Sequence, residues 1–145
     1  MQSNNQPRSQ KKAIPFKEGL FTMPSSTGEG THLIGSRCKN CGDVSFPKRE
    51  VCLNCGKIGM GEIALSTRGK LDTYTIITQV PPGAVVTAPF VSARVLLPEG
   101  VYVGTVLADG DFQKLRLGMD MELVIDKLME DVDGNEIMAY KFRPV

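Results

Sequence analysis

All four cysteines of the chain fall within eighteen residues, as Cys38-Lys-Asn-Cys41-Gly42 and Cys52-Leu-Asn-Cys55-Gly56. The pattern C-x2-C-x10-C-x2-C is that of two knuckles facing one tetrahedral ion. Two intervening residues let a tight turn aim both sulfurs at one point. A glycine after each pair accepts positive φ, which turns backbone N–H groups toward the thiolates. A pair of disulfides fits poorly with an N-terminus that carries no apolar export segment. A thioredoxin-like redox motif needs one C-x-x-C opening a helix, not two knuckles. Iron also takes four thiolates, and the spacing leaves zinc and iron both open. Four protein ligands with no open position read as structural zinc. Such a site does no chemistry; it staples a segment too short to fold alone.

Four thiolates around Zn²⁺ add a charge of −2, which matters because the chain is unevenly charged. The net charge is +1, yet residues 1–70 hold eleven Lys/Arg against five Asp/Glu, a formal +6. Residues 71–145 hold six against eleven, a formal −5. With the metal the first half remains basic. Such a split suggests an anionic ligand or partner for that half, or halves that complement one another across the fold. Lys39, Lys48, Arg49 and Lys57 surround the cysteines. They read either as a solvated surface offsetting the thiolates or as a phosphate or partner contact.

With 145 residues the chain is about one domain, divided by its patterning. Residues 1–30 read as a flexible N-terminal segment: polar and disordered to about Ala13, then a short apolar cluster of Ile14, Phe16, Leu20 and Phe21, then a break from Pro24 to Gly30. The cluster is too short for a free helix and is expected to dock on the body or on another subunit. Residues 31–61 are the ribbon, and residues 62–145 a β-barrel. Strands are expected over Lys70–Val80, Phe90–Leu97, Val101–Leu107, Met121–Met129 and Glu136–Phe142. Pro98-Glu99-Gly100 and Asp133-Gly134-Asn135 mark turns. Asp111–Gly118 has room for one short helix between the third and fourth strands. Five strands in that order are the signature of an OB-fold, with another small barrel as the competitor. The fold class is therefore mainly β, a four-cysteine ribbon followed by a five-stranded OB-fold barrel. Asp131, Asp133, Asn135 and Glu136 resemble calcium ligands, but the EF-hand spacing fails and a hairpin turn is expected.

No catalytic set can be drawn from these residues. His32 is the single histidine, the cysteines are committed to the knuckles, and no phosphate-binding glycine motif is present. No apolar run approaches the length of a membrane span. The polar N-terminus reads as that of a cytoplasmic chain. The loop Val80–Pro89 is almost wholly apolar: either Ala84 to Thr87 continue a strand into the core, or the loop is exposed and packs on a partner subunit or lines an acyl or pantetheine path. A single-stranded nucleic-acid binder is the alternative function. It would need a basic groove with aromatic platforms, and the barrel half is acidic with only Tyr74, Phe90 and Tyr102 on its early strands.

The knuckles RCKNCG and CLNCG, the intervening FPKRE, RGKLDTYTIIT, LRLGMDMELVID and the closing KFRP occur together and in order. In this combination, over Thr31 to Val145, the chain resembles the family that joins a rubredoxin-like zinc ribbon to a C-terminal OB-fold. That family was long catalogued as a domain of unknown function. The resemblance implies a small non-catalytic partner of thiolase-fold subunits, in a hetero-oligomer with two of each chain. Thiolases, hydroxymethylglutaryl-CoA synthases, acyltransferases and hydratases are the partners it suggests. It implies structural zinc at Cys38, Cys41, Cys52 and Cys55, and help in binding or channelling coenzyme A or acyl-CoA. Lys48, Arg49, Arg68 and Lys70 are the candidates for the coenzyme's phosphates. The region before the ribbon departs from the family's longer amphipathic helix, being broken by Pro24 and Gly28 to Gly30.

Overall fold

Alternation decides the architecture. In Phe90–Leu96 the residues Val91, Ala93 and Val95 are buried while Ser92 and Arg94 are exposed, the period-two pattern of a strand with one face in a core. A computed structural model describes residues 13–23, 30–84, 88–108 and 112–145, and among these there are nine strands. β1 is Ala13–Pro15, β2 Ile34–Cys38, β3 Val44–Ser45, β4 Met60–Ala64 and β5 Arg68–Ile77. β6 is Phe90–Leu96, β7 Tyr102–Val106, β8 Asp120–Glu130 and β9 Glu136–Pro144. No helix among the described residues is long and apolar enough to cross a membrane.

β5 to β9 form the barrel. The large sheet runs β1-β9-β8-β5-β6-β7. Register aligns one layer of apolar side chains, with Leu71 opposite Val95, Val95 opposite Val103, and Leu123 opposite Phe142. Closure comes from a parallel bridge between Leu107 and Phe142, where the Ala108 N–H donates to the Phe142 carbonyl at 2.9 Å. Phe142 is fully buried at this seam. Bulges in β5 between Leu71 and Thr73, and in β8 between Lys127 and Met129, supply the extra twist that closure needs. The five expected strands and their order are all present. The expected short helix after the third is a single 3-10 turn, Phe112–Lys114. The Asp131 region is a turn: its carboxylate accepts N–H groups of Asp133 at 2.9 Å and Asn135 at 2.8 Å, and the Asn135 amide at 3.0 Å. Led by the Asn135 side chain, these donors hold the Asp131 carboxyl below the usual range.

β2, β3 and β4 form a second sheet in the order β3-β2-β4. It joins the barrel through Leu33 and Leu65, which flank it and lie in the same core cluster as Leu71 and Val95. The apolar cluster ahead of the ribbon docks on this body. β1 pairs in parallel with β9, from Ala13 opposite Glu136. Leu20 and Phe21 are buried, and the Ile34 N–H donates to the Leu20 carbonyl at 2.8 Å. The disorder expected over residues 1–12 and the break at residues 24–29 lie outside the described residues.

Two glycines separate close packing from open strand. A Cβ on Gly69 would sit 2.5 Å from the Leu96 carbonyl oxygen and 2.7 Å from Val95 Cγ1, whereas at Gly104 nothing lies within 4 Å. Gly69→Ala is expected to destabilise the protein by about 1–3 kcal/mol, the usual cost of overpacking. Gly104→Ala should leave the midpoint of urea unfolding at or slightly above that of wild type, because its methyl meets open space and restricts only the unfolded chain. Equal midpoints for the two variants would contradict this packing.

Candidate metal centre and its surroundings

The two knuckles are built alike. In the first, the Gly42 N–H donates to the Cys38 carbonyl at 2.9 Å and the Cys38 N–H to the Asp43 carbonyl at 2.8 Å. In the second, the Gly56 N–H donates to the Cys52 carbonyl at 2.8 Å and the Cys52 N–H to the Lys57 carbonyl at 3.0 Å. Gly42 and Gly56 carry φ of 80° and 76°, which a side chain would strain. Besides the sulfurs, three hydrogen bonds join the knuckles among the described residues: the Lys39 N–H to the Gly59 carbonyl at 3.2 Å, Lys57 Nζ to Asn40 Oδ1 at 3.4 Å, and the Asn54 amide to Cys41 Sγ at 3.6 Å.

All four sulfurs lie within 4.8 Å of one another. The close pairs cross between knuckles, Cys38 with Cys55 at 3.6 Å and Cys41 with Cys52 at 3.5 Å. Zinc–sulfur bonds of ~2.3 Å place the corners of a tetrahedron ~3.8 Å apart, so the donor set fits zinc. These separations are far beyond a sulfur–sulfur bond, and the cysteines are free thiols. When bound, zinc holds the four sulfurs as thiolates and closes their coordination, which supplies folding energy and no reactive position.

The thiols are unequal. The Cys41 N–H, 3.5 Å from Cys38 Sγ, is the chief cause that lowers the Cys38 pKa to about 6, against the effect of burial. Cys41 is lowered by a backbone hydrogen bond from Asp43 and by the Asn54 amide, 3.6 Å from its sulfur. At Cys52 the backbone hydrogen bond from Cys55 favours the thiolate. Burial together with the sulfurs of Cys41 and Cys55 outweighs it, and the pKa stands at about 11.

The four cationic candidates divide into two places. Lys48 and Arg49 follow β3 on the ribbon, while Arg68 and Lys70 open β5 on the barrel. Lys48 pairs with Glu62 at 3.1 Å, Arg68 with Glu122 at 3.8 Å, and Lys70 with Asp120. The Arg49 N–H donates to Ser36 Oγ at 3.1 Å, and its guanidinium makes no ion pair with a described residue. Arg68 and Lys70 border a cavity of about 470 Å³ floored by Leu96, Leu97 and Pro98. His32 is half-buried, and its backbone is stitched to Thr22. Tyr74 packs against the core, and the exposed Tyr102 lies under the Arg94 guanidinium, 4.6 Å from its ring centre. In the apolar loop, residues 81–84 are exposed, while residues 85–87 lie outside the described residues.

Two features have no sequence signal. Phe16, Phe21, Phe46 and Tyr140 form an aromatic cluster with ring centres 5.6–6.3 Å apart, assembled from distant positions. Burial pushes the Tyr140 phenol pKa up, and its hydroxyl donates to the Gly104 carbonyl at 3.0 Å. The second feature is an apolar surface on the second knuckle, where Val51, Leu53 and Ile58 are exposed. Only their placement outside any core distinguishes them from core residues.

Comparison with known proteins places both parts of the chain. The rubredoxin-like zinc ribbon domain of ChsH2 matches residues 31–57, and the ChsH2 C-terminal OB-fold domain matches residues 62–126. A DUF35 domain-containing scaffold protein of Methanocaldococcus jannaschii is 40% identical over 115 residues, covering 78% of this chain and 82% of that protein. The benzoylsuccinyl-CoA thiolase subunit BbsA of Thauera aromatica is 30% identical over 144 residues, covering 98% of this chain and 96% of the subunit. Among solved structures, the Ltp2-ChsH2(DUF35) aldolase superposes with a TM-score of 0.65 at 26% identity, over 78% of this chain and 84% of that one.

Metal binding must be coupled to pH. Between pH 7 and 9 Cys38 is mostly ionised, since its pKa of about 6 lies below that range. Cys52, at about 11, is still protonated and must release its proton to the metal. Zinc affinity, measured by competition with a chromogenic chelator, should therefore rise by at least about tenfold per pH unit across this range. A flat profile would contradict the raised Cys52 pKa. Cys52→Ser should lower the zinc content from one per chain toward zero.

Proposed function

The chain belongs to the ChsH2 family, in which a rubredoxin-like zinc ribbon precedes an OB-fold, and we propose from this that it is a non-catalytic accessory subunit of a thiolase-type acyl-CoA enzyme. The observation that carries the reading is the alignment with a thiolase subunit over 98% of this chain and 96% of that subunit. It reaches past both domains into the segment before the ribbon. The chemistry of the side chains agrees with it. The cysteines that a thiolase-type reaction would need as nucleophiles are turned toward one another in the metal site.

The physical logic is division of labour. The barrel is a rigid platform, the ribbon a metal-stapled arm, and the catalytic groups belong to the partner. The solved relative is named as an aldolase and the aligned subunit as part of a thiolase, so the partner sets the reaction. Thiolysis of a benzoylsuccinyl-type CoA ester is the narrower reading, supported by the second of these names. We place two copies of each chain in the complex. The metal-binding thiols suit the reducing cytoplasm.

Coenzyme A enters this reading as a ligand shared with the partner. Its phosphates would meet Arg49 first, because Lys48, Arg68 and Lys70 would have to loosen carboxylate pairs to take them. Those pairs are exposed and weak, so the exchange costs little.

Purification of the tagged chain from its native cells should bring down a thiolase-fold subunit, identified by mass spectrometry, with one zinc per small chain. A lone monomer, or one carrying nucleic acid, would overturn the reading. In the intact complex, Lys48→Ala with Arg49→Ala should weaken coenzyme A binding by about three- to tenfold, the scale of exposed charge contacts. Unchanged affinity would remove these two residues from the ligand's path.

A further inference from the structure

We propose that the second zinc knuckle is the docking face for the catalytic subunit, and that the bound metal shapes this face so that assembly requires an occupied site. The inference rests on the accessory-subunit reading and adds to it the surface and its control.

Exposure singles out the knuckle. Leu53 is 70% exposed, Ile58 84% and Val51 46%, all within eight residues. Single exposed apolar side chains are ordinary on any protein. Elsewhere among the described residues they are dispersed, as Phe16 after β1, Ile76, Tyr102 and Leu117 over the barrel, Met129 and Val132 near the β8–β9 turn, and Val145 after β9. Three large aliphatic groups on one short loop leave water only against an apolar surface, and such clustering marks interaction sites.

Apart from the cysteines, the loop is held to the first knuckle by exposed side-chain hydrogen bonds, Lys57 Nζ to Asn40 at 3.4 Å and the Asn54 amide to Cys41 Sγ at 3.6 Å, and by the Lys39 N–H to the Gly59 carbonyl just past it. Val51 and Ile58 face each other in an isolated antiparallel bridge. Inside that bridge, the Cys52 N–H donates to the Lys57 carbonyl at 3.0 Å and the Gly56 N–H to the Cys52 carbonyl at 2.8 Å. Within residues 51–58, Cys52 is the only buried side chain. The sulfurs of Cys52 and Cys55, the first of them buried, meet those of Cys41 and Cys38 on the first knuckle at 3.5 and 3.6 Å, where one metal ion would join them far more strongly than the exposed side-chain bonds do. A metal joining the four sulfurs therefore fixes the spacing of Val51, Leu53 and Ile58. Without it the same residues lie on a short loop with few bonds, and docking would bear the entropy of ordering them.

Charge gives the chemistry of the occupant. Arg49 and Lys57 flank the apolar residues, and neither makes an ion pair with a described residue; Lys57 reaches only Asn40, at 3.4 Å. Glu50 is the single carboxylate between them. The face fits an apolar protein surface bordered by carboxylates. A subunit of that description complements both the aliphatic centre and the cationic rim.

The test uses the full chain with its catalytic subunit, co-purified and identified as above, and reads dissociation constants by surface interferometry. The double variant Leu53→Ser, Ile58→Ser should keep one zinc and the wild-type circular dichroism, yet bind the catalytic subunit at least about thirtyfold more weakly, as expected for a buried apolar centre. The barrel control Ile76→Ser, Leu117→Ser should bind within about twofold of wild type. Chelating zinc from the free chain should abolish binding, and returning zinc should restore it. Wild-type affinity in the knuckle variant, or full affinity of the metal-free chain, would overturn the docking proposal and leave the accessory-subunit reading intact. Failure of the wild-type chain to join any acyl-CoA enzyme subunit would overturn both. Sedimentation with phosphatidylcholine vesicles that the knuckle variant loses would assign the face to a lipid surface instead.

Discussion

The ribbon sheet consists of strands of five, two and five residues, and its own apolar side chains are too few to make a core. Four sulfurs within 4.8 Å at its tip take the place of that core. Everything beyond β2 in this part of the chain follows from that convergence. The positive-φ glycines turn each knuckle, the N–H groups aim at the thiolates, and the second knuckle is held against the first. The other end of the ribbon has no metal and needs none. Leu33 and Leu65 enter the barrel's core, so the ribbon is stapled at one end and packed at the other.

The barrel depends on a different constraint, the closure of a twisted sheet. Phe142 lies where β9 meets the residues just after β7, and the parallel bridge there joins the two sides of the sheet at one point. Leu20 and Phe21 pack into the same core, which makes the segment before the ribbon part of the body. A scaffold of this kind presents rigid surfaces at fixed separations, and rigidity is what an accessory subunit contributes to a partner's chemistry.

The charge asymmetry has a structural explanation in part. Arg68 and Lys70, the last cations of the basic half, pair with Glu122 and Asp120 at the start of β8 in the acidic half. The two halves complement one another across a strand pair. These contacts are solvent-exposed and individually weak, so they organise the surface more than they stabilise it. Arg49 and Lys57 are left without a carboxylate among the described residues, and both lie on the ribbon.

The metal site was legible because its ligands are close in sequence and cysteine chemistry tolerates few spacings. The barrel strands were legible because alternation has a period of two wherever one face is buried, as in Val91, Ala93 and Val95. The place of the short helical connection at Phe112–Lys114 was legible too, but not that it is a single 3-10 turn, since a short connection can form either kind of turn at similar cost. The apolar run at residues 80–89 is visible in the sequence, whereas the exposure of Leu53 and Ile58 is not. A run of apolar residues shows in one dimension; three apolar residues around a cysteine pair look like core. Local chemistry and periodicity, which act over a few residues, were thus set by the sequence alone. The tertiary structure decided which cations are already paired, which aromatics meet, and which apolar side chains remain outside. Each of these depends on contacts between residues far apart in the chain, and those exist only once the barrel closes.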